Sequence, residues 1–493
     1  MTRSTQLSLL LLVALSSCAS SEQRSALEVL IPQELSTLDP RFSTRGFDIK
    51  VTRLVHAGLV GLDPDTLAPY PLVASRLDFP DERTLHVELK PGVRFHSGRL
   101  LTPEDVCATL EALRSPTLGS PHRAVVSAIG ECTASGERTL ALTLAQPRAT
   151  LLTDLEVPIL RADEATSAPR PSGQLDGLGP YRLVSQSPRH AELTPADTGV
   201  LPRPRHELIV RTVRDENARA LRLLAGRADV APNAISSTLL PALDGHDGLT
   251  LTSRPGANVT YLLMQNDRPP LDQRELRRAL ARAIDREQIT RTLFAGRAQV
   301  AHFLFPREHW ASPRDVTAEP FDRAGAAHAL RDCRPLTLLT STDRARVTLA
   351  RVIAQMLGDA GVRVRVVSLD LGVLLARLDS GDFDLATLQM PELTEPHLLS
   401  WFFHPAGVPG EGGQGKNRAR FRHPDAARLL DAAGTNRDRA TRQAHYAEFA
   451  RLMARELPVV PLWHEDQVTV VSRRAAGFTQ SAEGRWLGLA ALR

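Results

Sequence analysis

Two glutamates, Glu392 and Glu395, lie between prolines in the segment QMPELTEPHLLSWFF, which spans residues 389–403. Pro391 and Pro396 disfavour a regular helix, so the sequence predicts that both carboxylates lie on a loop. Two roles suit such carboxylates: acids of an exposed turn, or a buried carboxylate that binds a cationic ligand. Paired carboxylates can also transfer protons in an enzyme, but no nucleophile or metal accompanies them in the sequence.

Two arginines and a run of aromatic residues are further candidates for contact with a ligand. Arg344 and Arg346 lie near the start of a predicted helix, beside the end of a predicted strand. Arginine can bind a carboxylate through two parallel hydrogen bonds, and the alternative is a role on the surface. Trp401, Phe402 and Phe403 could form an apolar pocket for a ligand side chain or could pack the interior.

The sequence carries no motif of a common enzyme chemistry. It has no G-x-S-x-G turn, no HExxH, no P-loop and no glycine-rich dinucleotide turn. We therefore predict a protein that is not an enzyme, with no catalytic residue and no cofactor. His397 and His404 flank the glutamate segment but lack the spacing of metal ligands, so no direct metal site is predicted, and a bound metal chelate stays open.

The N-terminal stretch MTRSTQLSLLLLVALSSCAS predicts export. Arg3 precedes an apolar run, Leu7 to Leu15, that fits a signal peptide and is too short to span a bilayer. The residues Leu15-Ser16-Ser17-Cys18 resemble a bacterial lipobox, which implies cleavage before Cys18 and a lipid on that cysteine. The alternative is an ordinary signal peptide with an incidental cysteine. We expect an exported, periplasmic protein held at the membrane by its lipid.

Composition predicts a large globular body rather than a nucleic-acid-binding protein. The chain has 493 residues, which suits two or three lobes, and a formal charge of +4. Its arginines are spread along the chain among acidic residues, so no nucleic-acid partner is predicted. Cys107, Cys132 and Cys333 could be buried thiols, but an oxidising compartment permits a disulfide, and Cys107 and Cys132 are the nearest pair.

Local patterns predict several elements. An apolar strand is expected at Leu27 to Ile31, and alternation predicts a half-buried strand at Thr84 to Leu89. Thr102-Pro103-Glu104-Asp105 is typical of a helix start. The stretch PLDQRELRRALARAIDREQITRTLFAG predicts one amphipathic helix, with Asp272 and Glu275 as a capping box.

The second half of the chain alternates strands with helices. Helices are predicted before Gly361, at Gly372 to Leu378 and at Arg439 to Glu456, with strands at VRVRVVSLD and FDLATLQM. This succession predicts a mostly parallel sheet. The segment with Glu392 follows the last of these strands, at the carboxyl end, where open α/β sheets bind ligands.

Seven stretches also follow one another along the chain in a recognisable order. They are TLDPRFS, HAGLVGLDPDTLAPYPLVASRL, LKPGVRFHSGRLLTPEDVCATLEAL, LGPYRL, LLAGRADVA, YLLMQNDRPPLDQRELRRALARAIDRE and LPVVPLWHEDQV. Together they resemble the extracytoplasmic solute-binding proteins of family 5, the oligopeptide-, dipeptide- and nickel-type binding components of ABC importers. The resemblance covers nearly the whole mature chain, and the third stretch is the closest match.

The resemblance implies an α/β fold of the periplasmic-binding-protein type, class II, with two large lobes, a hinge and an extra small lobe. Closure of the lobes would trap the ligand between them. The implied segments are a signal peptide (1–17), a tether (18–26), lobe I (27–50, 176–256 and 465–493), lobe II (51–175) and lobe III (257–464).

The same resemblance implies a function and its partners. The expected protein is a lipid-anchored receptor that binds a solute, in the first place a peptide, and delivers it to the permease subunits of an ABC importer. It is expected to act as a monomer. Two alternatives stay open: a binder of nickel, a metal chelate or another solute, and a sensor that keeps the fold without transport.

The resemblance also assigns candidate ligand-binding residues. Peptide binders of the family carry an Asp-Tyr-x-Asp/Glu-Pro motif whose first acid pairs with the α-ammonium group of the peptide. ELTEP stands in its place, with Glu392 at the first acid, although Leu393 replaces the tyrosine. Glu34 falls where some relatives have a pocket acid, with a solvated turn as the alternative. Asn266 lies on a strand that borders the cleft in relatives.

Overall fold

The structure is a computed structural model, which describes residues 25–410 and 415–492. The predicted signal peptide, Cys18 and most of the predicted tether lie outside the described residues. Within the described residues, no helix has the length and apolar character needed to cross a membrane.

The described residues form strands and helices that alternate irregularly along the chain. The strands are Leu27–Ile31 (β1), Val60–Leu62 (β2), Pro69–Pro71 (β3), Ala74–Asp78 (β4), Thr84–Leu89 (β5), Ile129–Ala134 (β6), Thr139–Leu144 (β7), Tyr181–Ser187 (β8), His190–Pro195 (β9), Leu208–Thr212 (β10), Val230–Pro232 (β11), Leu249–Arg254 (β12), Val259–Met264 (β13), Ala298–Val300 (β14), Leu336–Ser341 (β15), Val364–Leu369 (β16), Leu385–Met390 (β17), Val459–Glu465 (β18) and Gln467–Ser472 (β19). The α-helices are Gly46–Val55 (α1), Pro103–Arg114 (α2), Arg123–Val126 (α3), Leu151–Asp154 (α4), Ala162–Ala165 (α5), Glu216–Leu224 (α6), Arg274–Arg282 (α7), Arg286–Leu293 (α8), Arg323–Leu330 (α9), Arg344–Asp359 (α10), Leu371–Ser380 (α11), Leu398–Phe403 (α12), Pro424–Thr435 (α13) and Arg439–Glu456 (α14).

The first sheet has seven strands in the order β12-β19-β11-β1-β10-β9-β8 and is assembled from distant parts of the chain. The predicted strand β1 is confirmed, and every residue in it is buried. Both faces are covered, because Leu27 and Val29 pack in a cluster with α1, whereas Leu30 packs with α6. These strands lie within the ranges predicted for lobe I, and the lobe boundaries themselves stay predictions.

The second sheet, whose strands lie within the range predicted for lobe II, is antiparallel, with the order β4-β5-β7-β6. The predicted helix start is confirmed: α2 begins at Pro103, and Asp105 Oδ2 accepts a hydrogen bond from the Thr102 N–H at 3.0 Å. Cys107 and Cys132 form a disulfide that joins α2 to β6, with 5.2 Å between their Cα atoms. Of the two possibilities left open for these thiols, the structure has the cross-link.

The third sheet lies essentially within the range predicted for lobe III and is mixed, so the prediction of a mostly parallel sheet is wrong. Its order is β14-β18-β13-β17-β15-β16, and only β15 pairs in parallel, with β16 and β17. The helices α10 and α11 supply the crossovers that parallel pairing requires. The strands β13, β14 and β18 make antiparallel pairs.

The single long helix predicted over PLDQRELRRALARAIDREQITRTLFAG is two helices, α7 and α8. A new helix begins after Asp285, whose Oδ1 accepts a hydrogen bond from the Gln288 N–H at 2.8 Å. The predicted capping box is also wrong, because α7 starts after Gln273 without a side-chain cap. By contrast, α14 has the predicted bounds, and α10 ends just before Gly361, as expected.

Two short connections join the first and third sheets. One leads from β12 to β13 through residues 255–258, and the other leads from β18 to β19 through Asp466 alone. Asn258 ties them together: its Nδ2 donates to the Glu465 carbonyl at 2.6 Å, and its Oδ1 accepts from the Glu465 N–H at 2.8 Å. A Cβ on Gly256 would lie 2.2 Å from that same carbonyl oxygen, so the two connections approach closely only because this residue is glycine.

Candidate functional site

The loop after β17 holds Glu392 at the edge of lobe III. Leu393, which stands where the resemblance expects a tyrosine, is fully buried in the core of that lobe. Its N–H donates to the Ala257 carbonyl at 2.8 Å, which pins the loop to the connection between β12 and β13. Burial of Leu393 therefore fixes the position of its neighbour, Glu392, whose side chain stays 22% exposed.

Two cations from α1 face Glu392. Its Oε1 lies 3.6 Å from Nζ of Lys50 and its Oε2 lies 3.3 Å from Nη1 of Arg53. Lys50 and Arg53 are three residues apart, so one face of the helix presents both. Burial acts to raise the pKa of Glu392, but Arg53 and Lys50 together outweigh it, and that pKa lies below its ordinary value. Burial lowers the pKa of Lys50 by more than Glu392 raises it.

Glu156 of lobe II and Arg485 of the C-terminal segment extend this group of charges. Glu156 Oε2 lies 3.5 Å from Nη2 of Arg53 and accepts a hydrogen bond from Nη2 of Arg485 at 2.9 Å. Arg485 also pairs through Nη1 with Glu156 Oε1. The Arg485 side chain is only 5% exposed, and burial together with nearby Arg53 holds its pKa well below the ordinary value.

Glu483 is the least satisfied member of the group. It is fully buried, and Gly484, with a φ of +82°, turns the chain beside it. Its Oε1 lies 2.5 Å from Nε of Arg485, but neither carboxyl oxygen has a hydrogen bond of acceptable geometry. Burial raises the pKa of Glu483 to about 7. We call the whole set the charge cluster: Lys50, Arg53, Glu156, Glu392, Glu483 and Arg485.

The charge cluster joins side chains from the ranges predicted for all three lobes. The helix α1 packs on the first sheet and spans the predicted boundary after residue 50, so Lys50 falls in the range of lobe I and Arg53 in that of lobe II. The C-terminal segment falls in the range of lobe I, and Glu156 and Glu392 fall in the ranges of lobes II and III. The side chains of Lys50, Arg53 and Glu156 are 12%, 23% and 19% exposed, so solvent reaches the cluster. A solute entering between the lobes can therefore contact side chains from each of them.

The second glutamate of the loop has a different environment. Glu395 forms an ion pair with Arg442 on α14, and its Oε1 accepts a hydrogen bond from the His397 N–H at 3.1 Å. Arg442 also lies over the ring of Trp310, 5.2 Å from the centroid. Glu395 Oε2 also accepts a hydrogen bond from Thr153 Oγ1 on α4 at 3.4 Å, which reaches the range predicted for lobe II. Glu395 therefore anchors the loop on both sides and is not a member of the charge cluster.

The two candidate arginines, Arg344 and Arg346, have different environments. Arg346 donates to Gln389 Oε1 at 2.6 Å and to Thr260 Oγ1 at 3.0 Å, and its Nη1 lies 3.4 Å from Glu465 Oε1. It thus lies at the same end of the third sheet as the Glu392 loop, bound to lobe III itself. Arg344 is exposed at the start of α10.

The remaining predicted site residues lie outside the charge cluster. Glu34 faces Arg214 at 3.0 Å and Arg189 at 3.6 Å in lobe I. Asn266 follows β13 at the end opposite Glu392, and its Nδ2 donates to backbone carbonyls, such as that of Pro458 at 2.9 Å. Trp401 is on α12 with 43% of its surface exposed.

Sequence reasoning missed five members of the charge cluster. One signal was available for Lys50, since it is one of only three lysines in a chain whose other strongly basic residues are all arginine. No local pattern marks Glu156, Glu483 or Arg485, because each becomes significant only through contacts with distant parts of the chain. Within the described residues, no group of three His, Cys, Asp or Glu side chains could hold a metal ion.

Comparison with known proteins shows to which family this chain belongs. A family model described as bacterial extracellular solute-binding proteins, family 5 Middle, matches residues 68–409. The chain belongs to this family. The predicted family is thereby confirmed, and family 5 proteins are the substrate-binding components of ABC transporters rather than enzymes.

Two curated relatives of this family 5 chain are similar over most of their length. A probable D,D-dipeptide-binding periplasmic protein of Escherichia coli is 25% identical over 469 residues, covering 90% of this chain and 89% of the relative. A glutathione-binding protein of Pectobacterium atrosepticum is 24% identical over 475 residues, covering 91% and 90%. Periplasmic relatives support an extracytoplasmic location for this family 5 chain.

Solved structures confirm the predicted fold class. NikA from Brucella suis in complex with Fe(III)-EDTA superposes with a TM-score of 0.84 at 18% identity, covering 94% of this chain and 99% of that one. A periplasmic binding protein of Helicobacter pylori, solved with the peptide STSA, gives 0.81 at 19% identity, covering 95% and 97%. The family 5 chain therefore has the multi-lobed α/β fold of class II type.

Proposed function

We propose that this chain is a lipid-anchored receptor that binds a peptide between its lobes and delivers it to the permease of an ABC importer. The observation that carries the proposal is the charge cluster, in which partly exposed side chains from all three lobes converge. The names of the two curated relatives, which refer to a D,D-dipeptide and to glutathione, favour a short peptide as the solute.

The two connections between the first and third sheets suit a hinge. Since only residues 255–258 and Asp466 link the sheets, lobes I and III can rotate about these short segments. A solute that bridges Lys50 or Arg53 on α1, which packs on the first sheet, and Glu392 beside the third sheet would bind the closed state more tightly than the open one. It would thereby shift the population towards closure, and the closed lobes would present one surface to the permease.

Membrane attachment rests on the sequence before the described residues. A lipid on Cys18 would hold the receptor near its permease, with residues 18–26 as the tether. Replacement of this residue, Cys18→Ser, should release the protein from the membrane fraction. A Cys18→Ser protein that stays in that fraction would show that the lipid is not the anchor.

The solute can be identified directly. The protein is purified without its lipid, unfolded mildly, and the released molecules are analysed by mass spectrometry. Short peptides should be recovered from the native protein, and an Arg485→Met variant, which loses the pair with Glu156, should retain far less. Recovery of a metal chelate or a sugar instead would overturn the peptide proposal.

A further inference from the structure

Both carboxylate oxygens of Glu392 already face a cation of the protein. Oε1 faces Lys50 at 3.6 Å and Oε2 faces Arg53 at 3.3 Å. The ammonium group of Lys50 therefore has the chemistry and the position that a ligand ammonium would need. A further ammonium at this point would lie beside two cations, which is unfavourable in a partly buried site.

The unused capacity of the charge cluster lies in its cations. Lysine offers three N–H donors and arginine five, more than the contacts of Lys50 and Arg53 with Glu392, Glu156 and the Glu483 carbonyl use. Both cations keep exposed surface, 12% and 23%. A group arriving from solvent therefore meets free N–H donors.

Charge balance points the same way. Three cations stand against three carboxyl groups, but Glu483 is fully buried, its oxygens lack good hydrogen bonds, and burial raises its pKa to about 7. When Glu483 is protonated, Lys50, Arg53 and Arg485 outnumber the ionised Glu156 and Glu392. The cluster is then one negative charge short.

We propose that the charge cluster binds the carboxylate of the solute through Lys50 and Arg53, and that the solute needs no free amino group there. This inference rests on the proposed function and deepens it: the peptide would be held by its carboxyl end at the junction of the lobes. The competing arrangement is the one implied by the family resemblance, in which Glu392 pairs with the α-ammonium group.

Binding of a carboxylate should be coupled to proton uptake by Glu483. The groups that face Glu483 are Arg485 on its own segment, Lys50 and Arg53 on α1, and Glu392 on the loop after β17. Behind Arg485 lie Glu156 and Tyr70. A ligand carboxylate adds a negative charge to this set, which favours the neutral form of Glu483.

The decisive experiment compares three matched pools of tripeptides built from Gly, Ala, Ser, Leu and Phe. One pool has free ends, one is Nα-acetylated and one has a C-terminal amide. Calorimetry on the purified protein at pH 6.5 should give dissociation constants within about threefold for the free and acetylated pools, and binding roughly 100-fold weaker for the amides.

The possible results distinguish a failure of carboxylate binding at the charge cluster from a failure of the proposed peptide receptor. Binding of the free and amidated pools with loss of the acetylated one overturns the inference and leaves the peptide receptor standing. Binding of none of the pools overturns both. In a Lys50→Met variant the acetylated pool should bind roughly 100-fold more weakly. The matched control is Lys416→Met, which removes another lysine ion pair, 3.3 Å from Asp379, away from the cluster.

A pH series on the acetylated pool tests the coupling, since these peptides lack the α-amino group that titrates near pH 8, and their carboxylate, with a pKa of about 3.5, stays ionised throughout. Affinity should be constant below about pH 6 and should fall as pH rises through 7, by up to about tenfold per pH unit. A Glu483→Gln variant should bind with little dependence on pH. An unchanged pH profile in that variant would overturn the role of Glu483, and melting curves establish that each variant is folded.

Discussion

Glu392 and Glu395 are three residues apart in one loop and have different fates. The first faces two cations of α1 across the junction of the lobes, whereas the second pairs with Arg442 inside lobe III. The sequence predicts that both lie on a loop between prolines. It cannot separate them, because the partners that do so lie more than 300 residues away for Glu392 and on a later helix for Glu395.

Glu483 makes the stability of the protein depend on pH. Its pKa is about 7 in the folded protein, above the ordinary value of 4.5. Between these two values the folded state keeps a proton that the unfolded state loses. The contribution of Glu483 to the free energy of unfolding is therefore fully present below about pH 4.5 and is lost as pH rises through 7. The free energy of unfolding should fall by about 3 kcal/mol from this group.

Urea unfolding at pH 5 and pH 8 measures this effect. The wild type should lose about 2.5 kcal/mol more than Glu483→Gln over that interval, since part of the effect lies below pH 5. Glu137→Gln, at an exposed position, is the matched control and should behave as the wild type does. The prediction would be contradicted if the free energy of unfolding changed equally between pH 5 and pH 8 in the wild type and in Glu483→Gln.

At the scale of elements, two aspartates test what starts a helix. Asp285 caps α8 through its hydrogen bond to the Gln288 N–H, whereas Asp272, which the sequence predicts as part of a capping box, is exposed and caps no helix. Asp285→Ala should lower the free energy of unfolding by about 1 kcal/mol, and Asp272→Ala should leave it nearly unchanged. Equal losses in urea unfolding would refute this assignment.

Gly256 tests the close approach of the two connections between the first and third sheets. An added Cβ would lie 2.2 Å from the Glu465 carbonyl oxygen, so Gly256→Ala should cost about 2 kcal/mol of stability through overpacking. Gly358→Ala is the control, since a Cβ there has open space within α10 and should stabilise by up to about 1 kcal/mol. Urea unfolding of both variants decides, and a tolerated Gly256→Ala would mean that the connections can separate.

Helices and strands were predictable where a local pattern decides them. The capping residues of α2, the apolar run of β1 and the period of α14 are local, and all three elements are confirmed. The break between α7 and α8 is not, because one amphipathic stripe continues through it while Asp285 starts a new turn. The relative direction of the strands in the third sheet could not be predicted either. It depends on the pairing of β13 with β18, which are far apart in the chain.

At the scale of the whole molecule, the disulfide joins two elements that both lie within the range predicted for lobe II. Cys107 and Cys132 close a loop of 25 residues between α2 and β6. A double variant, Cys107→Ser with Cys132→Ser, should destabilise that lobe by about 3 kcal/mol. Limited proteolysis should cut lobe II first and leave the core of lobe III protected. Simultaneous loss of both lobes would show that they unfold as one unit.

The charge cluster belongs to the whole molecule as well, and this explains why it could not be predicted. Its members come from residues 50 to 485, and their ion pairs join segments that are far apart in the chain. The seven stretches that resemble family 5 predict the fold and the family, because each is a local sequence pattern that can be recognised without knowing distant contacts. The solute depends on a few side chains that no stretch contains together.

Asn258 and Glu465 are joined by two hydrogen bonds, although about 200 residues of chain separate them. The two ends of the segment predicted as lobe III therefore lie side by side, at a single point of the structure. Such an arrangement lets a lobe be exchanged as a unit between relatives. Junctions placed at Pro255 and Asp466 would exchange Glu392 and its loop in a single recombination event and would keep Lys50 and Arg53, so one side of the charge cluster could be changed alone.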